Sequence, residues 1–333
     1  MTQSSDKGER VTLFLCGDVM TGRGVDQVLP HPSDPAIHER YMQSASGYVD
    51  IAEDAHGQIP QPAAFDYVWG EALAEFKRAD PDLKLINLET AVTTSNEYWK
   101  GKGIHYRMHP DNAACITAAG IDVCTMANNH VLDWGNSGLA ETIKTLNNAG
   151  IKTIGAGATQ KQARAPVEFE PEGKGRVIVF GFGSTTSGIP ASWAATKEKP
   201  GVNLIEDLSE ETVRAIKAQV EGIKKAGDVV IASIHWGGNW GYEIPLAQRK
   251  FAHALIDEAG VDLIHGHSSH HVKGMEVHNQ RLILYGCGDF INDYEGIEGY
   301  EEFRDDLSLM YFPHLEAGSG RLVGLEMVPT RLR

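Results

Sequence analysis

The sequence predicts an α/β protein with a mixed two-sheet core and helices outside it. Short apolar runs closed by glycine or a polar residue are typical of buried strands, and the clearest parallel-type strand spans 228–234. Segments with apolar residues at helical spacing alternate with these runs, as at 136–149. The C-terminal third holds alternating or apolar runs without long helices between them, which indicates antiparallel strands.

Each predicted element rests on its apolar spacing and on the residues that begin or end it. In the first half, strands are predicted at 11–16, 83–88 and 120–124, and helices near 35–54 and at 65–78 and 112–119. In the second half, helices are predicted at 136–149, 209–225 and 246–259, and strands at 151–154, 164–169, 176–182, 228–234, 261–264, 275–277, 281–285, 307–315 and 322–328. Gly150 ends the first of these helices, Ser209 caps the second and Pro245 opens the third.

The domain organisation follows from the lack of an internal repeat or a convincing linker in the sequence. Residues 1–333 are therefore predicted to form a single domain. Residues 30–62 are rich in Pro, His, Asp and Gly with only brief apolar groups. Such a composition predicts an excursion from the sheet that could serve as a lid.

Composition and charge limit the classes of partner. Hydrophobic residues make up 42% and charged residues 23% of the chain, which is ordinary for a globular protein. The formal net charge of −15 repels a phosphate backbone or an anionic membrane, so we expect no nucleic acid and no membrane as partners. A small anionic or peptide-like substrate fits only where a cationic patch or a bound metal reverses the local field.

The N-terminus and the cysteines indicate a cellular compartment. The first apolar stretch reaches Gly17 after six residues, too short for a signal-peptide core, and no segment approaches the roughly 18–20 unbroken apolar residues of a membrane span. We therefore expect a cytoplasmic protein. The four cysteines show no CxxC spacing, so buried reduced thiols are expected; they are Cys16, Cys115, Cys124 and Cys287.

Side chains that commonly bind metals follow five predicted strands at the point where each strand ends. They are Asp18, Asn87 with Glu89, Asn129 with His130, His235, and the cluster His265, His267, His270 and His271. Because sites in open α/β sheets form beyond the carboxyl ends of strands, we expect these side chains to share one site. Carboxylate, imidazole and amide oxygen together suit one or two divalent ions, Mn²⁺, Zn²⁺, Fe²⁺ or Mg²⁺. We predict Asp18, Asn129 and His130 as catalytic residues, with His130 moving a proton.

Each of these residues has a structural alternative when taken singly. Asp18 could cap a turn or a helix, and Asn129 could form a turn. Glu89 could be a surface carboxylate, and His235 alone would more often be a buried core histidine. At least one histidine of the cluster at 265–271 is expected to be a surface residue. Their common position directly after apolar strands favours the shared site.

A cationic and aromatic segment at 98–107 could bind an anionic substrate. It contains Lys100, Lys102 and Arg107, and Arg23 follows the first strand. These four cations are our candidates for binding a substrate carboxylate or phosphate. For the segment at 98–107, a solvated surface loop is the alternative.

The strand-end motifs resemble those of a known family. They are Gly17-Asp18-Val-Met20 with Arg23, Asn87-Leu-Glu89, Ala127-Asn-Asn-His130 with Asp133 and Gly135, His235-Trp-Gly237, and Gly266-His267 to His270. In this order they resemble the poly-γ-glutamate capsule-synthesis (CapA-type) family of the calcineurin-like metallophosphoesterase superfamily. The resemblance implies a four-layer α/β/β/α sandwich with mixed sheets and a metal centre at the strand ends.

The resemblance also implies a role for each matching residue. The implied metal ligands are Asp18, a bridging Glu89, Asn129, His235, His267 and His270. His130 is the implied acid. Two motifs depart from the superfamily pattern: Asp18-Val-Met20 stands where Asp-x-His is usual, and Gly-His-Ser-Ser-His stands where Gly-His-x-His is usual. The choice of ligands among His265, His267 and His270 therefore stays open.

Three functions fit these residues. The first is a metal-dependent hydrolase of a phosphoester or γ-glutamyl-type amide bond, because a divalent ion lowers the pKa of bound water from about 15.7 toward about 7 and His130 could protonate the leaving group. The second is an isomerase or epimerase that uses histidine proton transfer. The third is a non-catalytic accessory protein of polyglutamate synthesis.

Overall fold

The structure is a computed structural model that describes residues 10–294, 297 and 299–332. The strands within these residues are β1 (Arg10–Val19), β2 (Leu83–Leu88), β3 (Ala91–Val92), β4 (Arg107–Met108), β5 (Val123–Thr125), β6 (Lys152–Ile154), β7 (Ala156–Gly157), β8 (Val167–Phe169), β9 (Val177–Ser184), β10 (Gly201–Val202), β11 (Leu204–Ile205), β12 (Val229–His235), β13 (Leu263–His267), β14 (Met275–His278), β15 (Arg281–Leu284), β16 (Asp289–Ile291), β17 (Leu307–Glu316) and β18 (Leu322–Arg331). The α-helices are α1 (Arg23–Val28), α2 (Ser46–His56), α3 (Ala72–Ala79), α4 (Ala114–Ala118), α5 (Gly135–Asn148), α6 (Gln160–Arg164), α7 (Glu210–Glu221) and α8 (Leu246–Asp257).

Two large mixed sheets form the centre of the structure. The first has the order β18-β17-β1-β2-β5-β6, with β16 also paired to β1, and the second has the order β11-β9-β12-β13-β15-β14, with β8 also paired to β9. The inner strands β1, β2, β5 and β6 are parallel, as are β9, β12, β13 and β15. The C-terminal pairs β14·β15 and β17·β18 are antiparallel. The predicted α/β class with mixed sheets is confirmed.

Apolar side chains from both sheets fill the space between them. Leu13 and Leu85 of the first sheet form one fully buried cluster with Val179, Ile231 and Leu263 of the second. Burying one such side chain contributes roughly 1.5–3 kcal/mol, so this cluster holds the two sheets face to face.

Helices cover the outer face of each sheet. On the first sheet, Phe14 of β1 packs edge-on against Phe76 of α3, with ring centroids 4.6 Å apart. On the second sheet, Ile264 of β13 lies in one buried cluster with Ile216 of α7 and Phe251 of α8. The layers therefore run helix, sheet, sheet, helix, as the resemblance implied. No helix among the described residues is long and apolar enough to cross a bilayer.

Several predicted elements are confirmed and others are wrong in their bounds. The Ser209 hydroxyl accepts from the backbone N–H of Thr212 at 3.3 Å and caps α7 as predicted, although the helix ends at Glu221. The strand predicted at 164–169 is wrong in its first part, because the short helix α6 extends to Arg164 and β8 begins only at Val167. The Thr159 hydroxyl caps this helix by accepting from the backbone N–H of Gln162 at 3.3 Å. The helix predicted near 35–54, within the excursion at 30–62, is wrong in its bounds, because α2 begins at Ser46 and ends at His56. All four cysteines are free and buried, as expected.

The two sheets are also joined by hydrogen bonds near the carboxyl ends of their inner strands. The Thr125 hydroxyl at the end of β5 donates to the Ser233 hydroxyl of β12 at 2.8 Å. His265 Nε2 of β13 donates to the Cys16 carbonyl of β1 at 2.7 Å. The strand ends that carry the predicted ligands therefore face one another across the gap between the sheets.

Gly17 allows β1 and β16 to approach closely at the same edge. The Asp18 N–H donates to the Gly288 carbonyl oxygen at 2.8 Å. A Cβ atom on Gly17 would lie only 1.7 Å from that oxygen, so a larger residue does not fit. The approach brings Asp289 into register with Asp18.

Gly17→Ala is expected to lower the free energy of unfolding by about 3 kcal/mol, the upper end of the usual cost of overpacking, because two backbones would have to separate. Urea unfolding measures this difference. Gly103→Ala is the matched control, since an added Cβ meets nothing within 4 Å there. Equal unfolding midpoints for Gly17→Ala and the control would show that the close approach is not required.

Candidate metal centre

Three of the predicted ligands meet where β1, β12 and β13 end. Asp18, His235 and His267, called the ligand triad below, each offer one ligand atom, and these atoms all lie within 4.8 Å of one another. His235 Nδ1 is 2.9 Å from His267 Nδ1, and His267 Nδ1 is 3.8 Å from Asp18 Oδ1. At most 1% of each side chain is exposed. The structure thus brings together residues that are up to 249 positions apart, since 267 − 18 = 249.

Glu89 and Asn129 lie against the ligand triad. His235 Nε2 is 3.8 Å from Glu89 Oε1 and 3.0 Å from Asn129 Oδ1. Glu89 is 3% exposed, and its Oε2 has no hydrogen-bond partner among the residues that the structure describes. A buried carboxylate oxygen without a partner costs several kcal/mol unless a cation lies next to it. These residues therefore fit a bound cation.

Burial and mutual repulsion shape the protonation of this cluster. Burial, followed by the charge of Asp289, raises the pKa of Asp18 to about 7. Burial, followed by the charge of Asp18, raises the pKa of Glu89 well above its usual value. Burial lowers the pKa values of His235 and His267 well below the usual range, so both imidazoles are neutral and can bind a metal through a lone pair. A donor set of carboxylate, imidazole and amide oxygen suits Mn²⁺, Zn²⁺, Fe²⁺ or Mg²⁺.

His130 is held beside the triad by an acidic partner. Its Nδ1 lies 2.6 Å from Asp133 Oδ2, and its Nε2 lies 3.8 Å from Glu89 Oε1. Because a carboxylate only accepts, Nδ1 carries the proton of the neutral ring, and the free lone pair is on Nε2. Burial, which outweighs the effect of Asp133, lowers the pKa of His130 to about 4. His130 is therefore a proton acceptor at neutral pH.

Contacts of Tyr106 and Lys102 further fix the His130 ring. Tyr106 stacks on it with ring centroids 3.9 Å apart, and the Tyr106 N–H donates to Asp133 Oδ2 at 2.9 Å. Lys102 Nζ donates to Asp133 Oδ1 at 2.6 Å and contacts the carbonyl oxygen of Asn129. The ring thus has one orientation, which points Nε2 toward the cluster.

The sequence left open which histidines of the cluster at 265–271 are ligands, and the structure places these histidines at different depths. His267 belongs to the ligand triad, whereas His265 lies behind it and donates to the Cys16 carbonyl. His270 stands apart from the triad, with its Nδ1 3.2 and 3.1 Å from the two carboxylate oxygens of Asp289. Although burial opposes it, the charge of Asp289 raises the pKa of His270.

The structure does not bring the four candidate substrate cations into one patch. Arg107 is buried and donates to the Asn96 side chain at 2.9 Å, and Lys100 is exposed. Lys102 is bound to Asp133. Arg23 is 5% exposed and is bound to Glu39 at 3.1 Å and to Asp293.

Arg23→Met is therefore expected to act on stability rather than on substrate binding. The change leaves the buried carboxylates of Glu39 and Asp293 without their shared cation and removes a guanidinium that lies 3.8 Å from the ring centroid of Tyr48. Breaking a buried ion pair in this way costs about 3–5 kcal/mol, which thermal or urea unfolding measures. Lys100→Met, at an exposed position, is the control. An unchanged stability together with a raised KM would instead make Arg23 a substrate-binding residue.

Asn87, a strand-end candidate from the sequence, supports a ligand rather than joining the ligand triad, and no role was predicted from the sequence for Asp133 or Asp289. The Asn87 amide donates to Asp18 Oδ1 at 2.7 Å and accepts from the Asn128 amide at 3.1 Å, so it orients the first ligand. Asp133 orients His130. Asp289 is the first residue of β16, and this strand of three residues is too short to be recognised from its apolar pattern.

The fold and the ligand cluster define an α/β protein with two mixed sheets packed face to face and a candidate metal site at the carboxyl ends of their inner strands. A phosphatase from Mycoplasma pneumoniae superposes on it with a TM-score of 0.54 at 11% sequence identity, and the match covers 97% of this chain and 94% of that one. At this identity the likeness shows the fold alone.

The sequence comparisons identify the family within that class. The profile described as "Bacterial capsule synthesis protein PGA_cap" matches residues 12–294, and the chain belongs to this family. It is 48% identical over 323 residues to a probable polyglutamine synthesis accessory protein of Mycobacterium tuberculosis, covering 97% of this chain and 85% of the relative. It is 26% identical over 328 residues to the capsule biosynthesis protein CapA of Bacillus anthracis, covering 98% of this chain and 69% of the relative. The CapA-type resemblance is confirmed.

Proposed function

We propose that this protein is a metal-dependent hydrolase that cleaves a phosphoester or a γ-glutamyl-type amide bond. The observation that carries the proposal is the buried Oε2 of Glu89 beside the ligand triad, for which the described part of the chain offers no hydrogen-bond partner. Such a group is stable in the fold when a cation occupies the space next to it. His130, held with its free nitrogen toward the same space, is the group that moves the proton.

The residues that would hold the ion are those of the ligand triad, with Glu89 and Asn129 at its border. A divalent ion bound there supplies Lewis-acid catalysis, polarising the scissile bond and lowering the pKa of water toward about 7. The Asn87 amide holds the Asp18 carboxylate in place through its 2.7 Å hydrogen bond. An orienting partner of this kind is worth about 10–100-fold in metal affinity.

His130 carries the proton from the attacking water to the leaving group. Its Nε2 accepts the proton first, because Asp133 keeps the other ring nitrogen protonated. The imidazolium that forms is stabilised by the Asp133 carboxylate, and it then donates the same proton to the leaving group. Lys102, bound to Asp133, limits the charge at that carboxylate and keeps the ring from retaining the proton.

Two observations support the substrate classes. The metallophosphoesterase-type fold supports a phosphoester. The relatives described as a polyglutamine synthesis accessory protein and as CapA support an amide bond of a γ-glutamyl type. Both substrates are anionic, and in a chain with a net charge of −15 a bound metal is the feature that attracts them.

A hydrolysis screen tests the proposal. The purified protein, supplied with Mn²⁺ or Zn²⁺, is assayed on p-nitrophenyl phosphate, bis-p-nitrophenyl phosphate and γ-glutamyl-p-nitroanilide, and hydrolysis of at least one is expected. Full activity in both His130→Ala and Asp18→Asn would contradict the assignment. Solvent deuterium in unhydrolysed substrate would favour an isomerase, and metal binding without turnover of a wider substrate set would favour an accessory role.

A further inference from the structure

We propose that the hydroxyl of Tyr294 donates a hydrogen bond to a negatively charged oxygen of the substrate. Tyr294 and its hydrogen-bonded neighbour Tyr106 are called the tyrosine pair below. The substrate oxygen is a non-bridging oxygen of a phosphoester, or the former carbonyl oxygen of an amide to which water has added. The inference rests on the proposed function, because it names a group that contacts the substrate at the same centre.

The four cations predicted from the sequence do not supply this donor. Arg23, Lys102 and Arg107 are each bound to other side chains, and Lys100 is exposed. A donor stabilises a negative oxygen best when it is held in place in a site from which water is excluded. The tyrosine pair is a buried donor of this kind beside the ligand triad.

The tyrosine pair lies between two histidines of the centre. The Tyr106 ring stacks on the His130 ring with centroids 3.9 Å apart, and the Tyr294 ring meets the His270 ring edge-on with centroids 5.3 Å apart. The two phenol oxygens are 2.6 Å apart, so the pair spans the distance from His130 to His270. The pair therefore forms one wall of the space that His130 Nε2 and Glu89 Oε1 also border.

The two hydroxyls of the pair carry one proton more than their mutual hydrogen bond uses. Each phenol can donate one hydrogen bond and can also accept. Within the described part of the chain neither hydroxyl has a second partner, so the phenol that accepts in the pair keeps an unused O–H. We assign this O–H to Tyr294, because it adjoins His270, whose side chain is 14% exposed, whereas the Tyr106 ring is covered by the less exposed His130. The free donor thus lies on the side from which a substrate enters.

Both phenols keep their protons at neutral pH and are therefore donors. The pKa of an ordinary tyrosine is about 10. Burial raises the pKa of Tyr106 and of Tyr294 well above that value, and the charge of Glu89 adds to the effect in each. The same carboxylate therefore acts on both phenols, which agrees with their position at the wall of the centre.

Packing holds the tyrosine pair in place and excludes water from it. Met20 forms one buried cluster with both rings. The Arg23 guanidinium carbon lies 5.0 Å from the Tyr106 ring centroid and 5.5 Å from the Tyr294 ring centroid, which is within the range of a cation–π contact. Tyr106 and Tyr294 are only 4% and 8% exposed. The Tyr294 hydroxyl therefore needs little reorganisation to bind a substrate oxygen.

Vanadate binding and steady-state kinetics on the full-length, Mn²⁺-loaded protein test the inference. Bound vanadate adopts the geometry of a phosphoryl group in its transition state, whereas phosphate keeps that of the ground state. Tyr294→Phe keeps the ring and removes only the hydroxyl. It is expected to weaken vanadate binding at least about tenfold and phosphate binding less than about threefold, with the Mn²⁺ content unchanged. The kcat on the substrate found in the hydrolysis screen is expected to fall by about 10²–10³-fold.

Two further variants serve as comparisons. Tyr285→Phe is the matched control, because it removes a buried phenol hydroxyl that donates to Glu276 at 2.9 Å, outside the centre. It is expected to keep the vanadate affinity of the unmodified protein. Tyr106→Phe leaves the Tyr294 hydroxyl in place, and it is expected to weaken vanadate binding less than Tyr294→Phe does.

The outcomes separate this inference from the proposed function. An unchanged vanadate affinity and kcat in Tyr294→Phe would overturn the inference and leave the proposed function intact. A larger loss in Tyr106→Phe than in Tyr294→Phe would also overturn it, because the donor would then be Tyr106. The same holds if the unmodified, Mn²⁺-loaded protein does not bind vanadate. Weaker vanadate binding by Tyr294→Phe, in a protein that hydrolyses no substrate of the screen, would support the inference while the proposed function fails.

Discussion

His130→Ala is expected to lower kcat by about 10²–10⁴-fold while the metal content stays unchanged. The imidazole is held by Asp133 and Tyr106, and its free Nε2 lies 3.8 Å from Glu89 Oε1, beside the ligand triad. The change therefore removes the proton carrier without removing a ligand. Steady-state kinetics on the substrate found in the hydrolysis screen, with metal analysis of the same samples, measures both effects.

The matched control for this change is His253→Ala, at a half-buried histidine of α8. The control is expected to retain its kcat. If His130→Ala keeps kcat within about threefold of the unmodified protein, His130 does not carry the proton. If it loses metal in proportion to activity, His130 acts as a ligand instead, and the separate roles assigned to Asn129 and His130 are wrong.

Asp18→Asn is expected to change stability in opposite directions with and without metal. In the chelated protein at pH 8 the Asp18 carboxylate is ionised in a buried site, where its pKa is raised from 3.8 to about 7. In the unmodified protein, that pKa shift lowers the free energy of unfolding by at most about 4 kcal/mol. In Asp18→Asn, the asparagine accepts one hydrogen bond fewer, which costs about 1 kcal/mol. The variant should therefore be about 3 kcal/mol more stable in EDTA. With saturating Mn²⁺ the order reverses, because only the unmodified protein gains binding energy.

The pH dependence of this difference follows from the direction of the shift. A carboxyl whose folded-state pKa is raised disfavours folding fully above the folded value of about 7, and the effect disappears below the unfolded value of 3.8. The advantage of Asp18→Asn in EDTA should thus shrink as the pH falls from 7 toward 4. Urea unfolding at several pH values measures it. If Asp18→Asn is less stable than the unmodified protein in EDTA at pH 8, the buried Asp18 carboxylate does not disfavour folding as expected.

The ligand positions could be predicted from the sequence because the fold uses a simple rule. Apolar runs with polar residues at their ends predict parallel strands, and the carboxyl ends of parallel strands meet at one edge. Asp18, His235 and the histidine cluster at 265–271 followed from this rule alone. The sequence could not choose between His265 and His267, since residues two apart on a strand point to the same face. The choice depends on how deep each histidine lies between the sheets. His265 is bound to the carbonyl of Cys16, and this partner is 249 residues away in the sequence.

Other parts of the site depend on contacts that leave no local pattern. Arg23 was a candidate for binding a substrate anion, but it is bound by Glu39 from the excursion at 30–62 and by Asp293 from a distant part of the chain. Asp289 lies on β16, a strand of three residues that is too short for a detectable periodicity. Long-range pairing of charges and very short strands therefore set the limit of what the sequence predicts.

Anomalous diffraction at the manganese absorption edge, on crystals grown with Mn²⁺, tests whether the ligand triad binds a metal ion. We expect a strong peak at about 2.0–2.3 Å from the Asp18 carboxylate and the His267 imidazole, with Glu89 at its border. The half-buried group His253, Glu276 and His278 at the surface serves as an internal comparison, because its atoms are equally close together. Peaks only at that surface group, with none at the ligand triad in protein that is hydrolytically active, would show that the ligand triad is not the catalytic metal site.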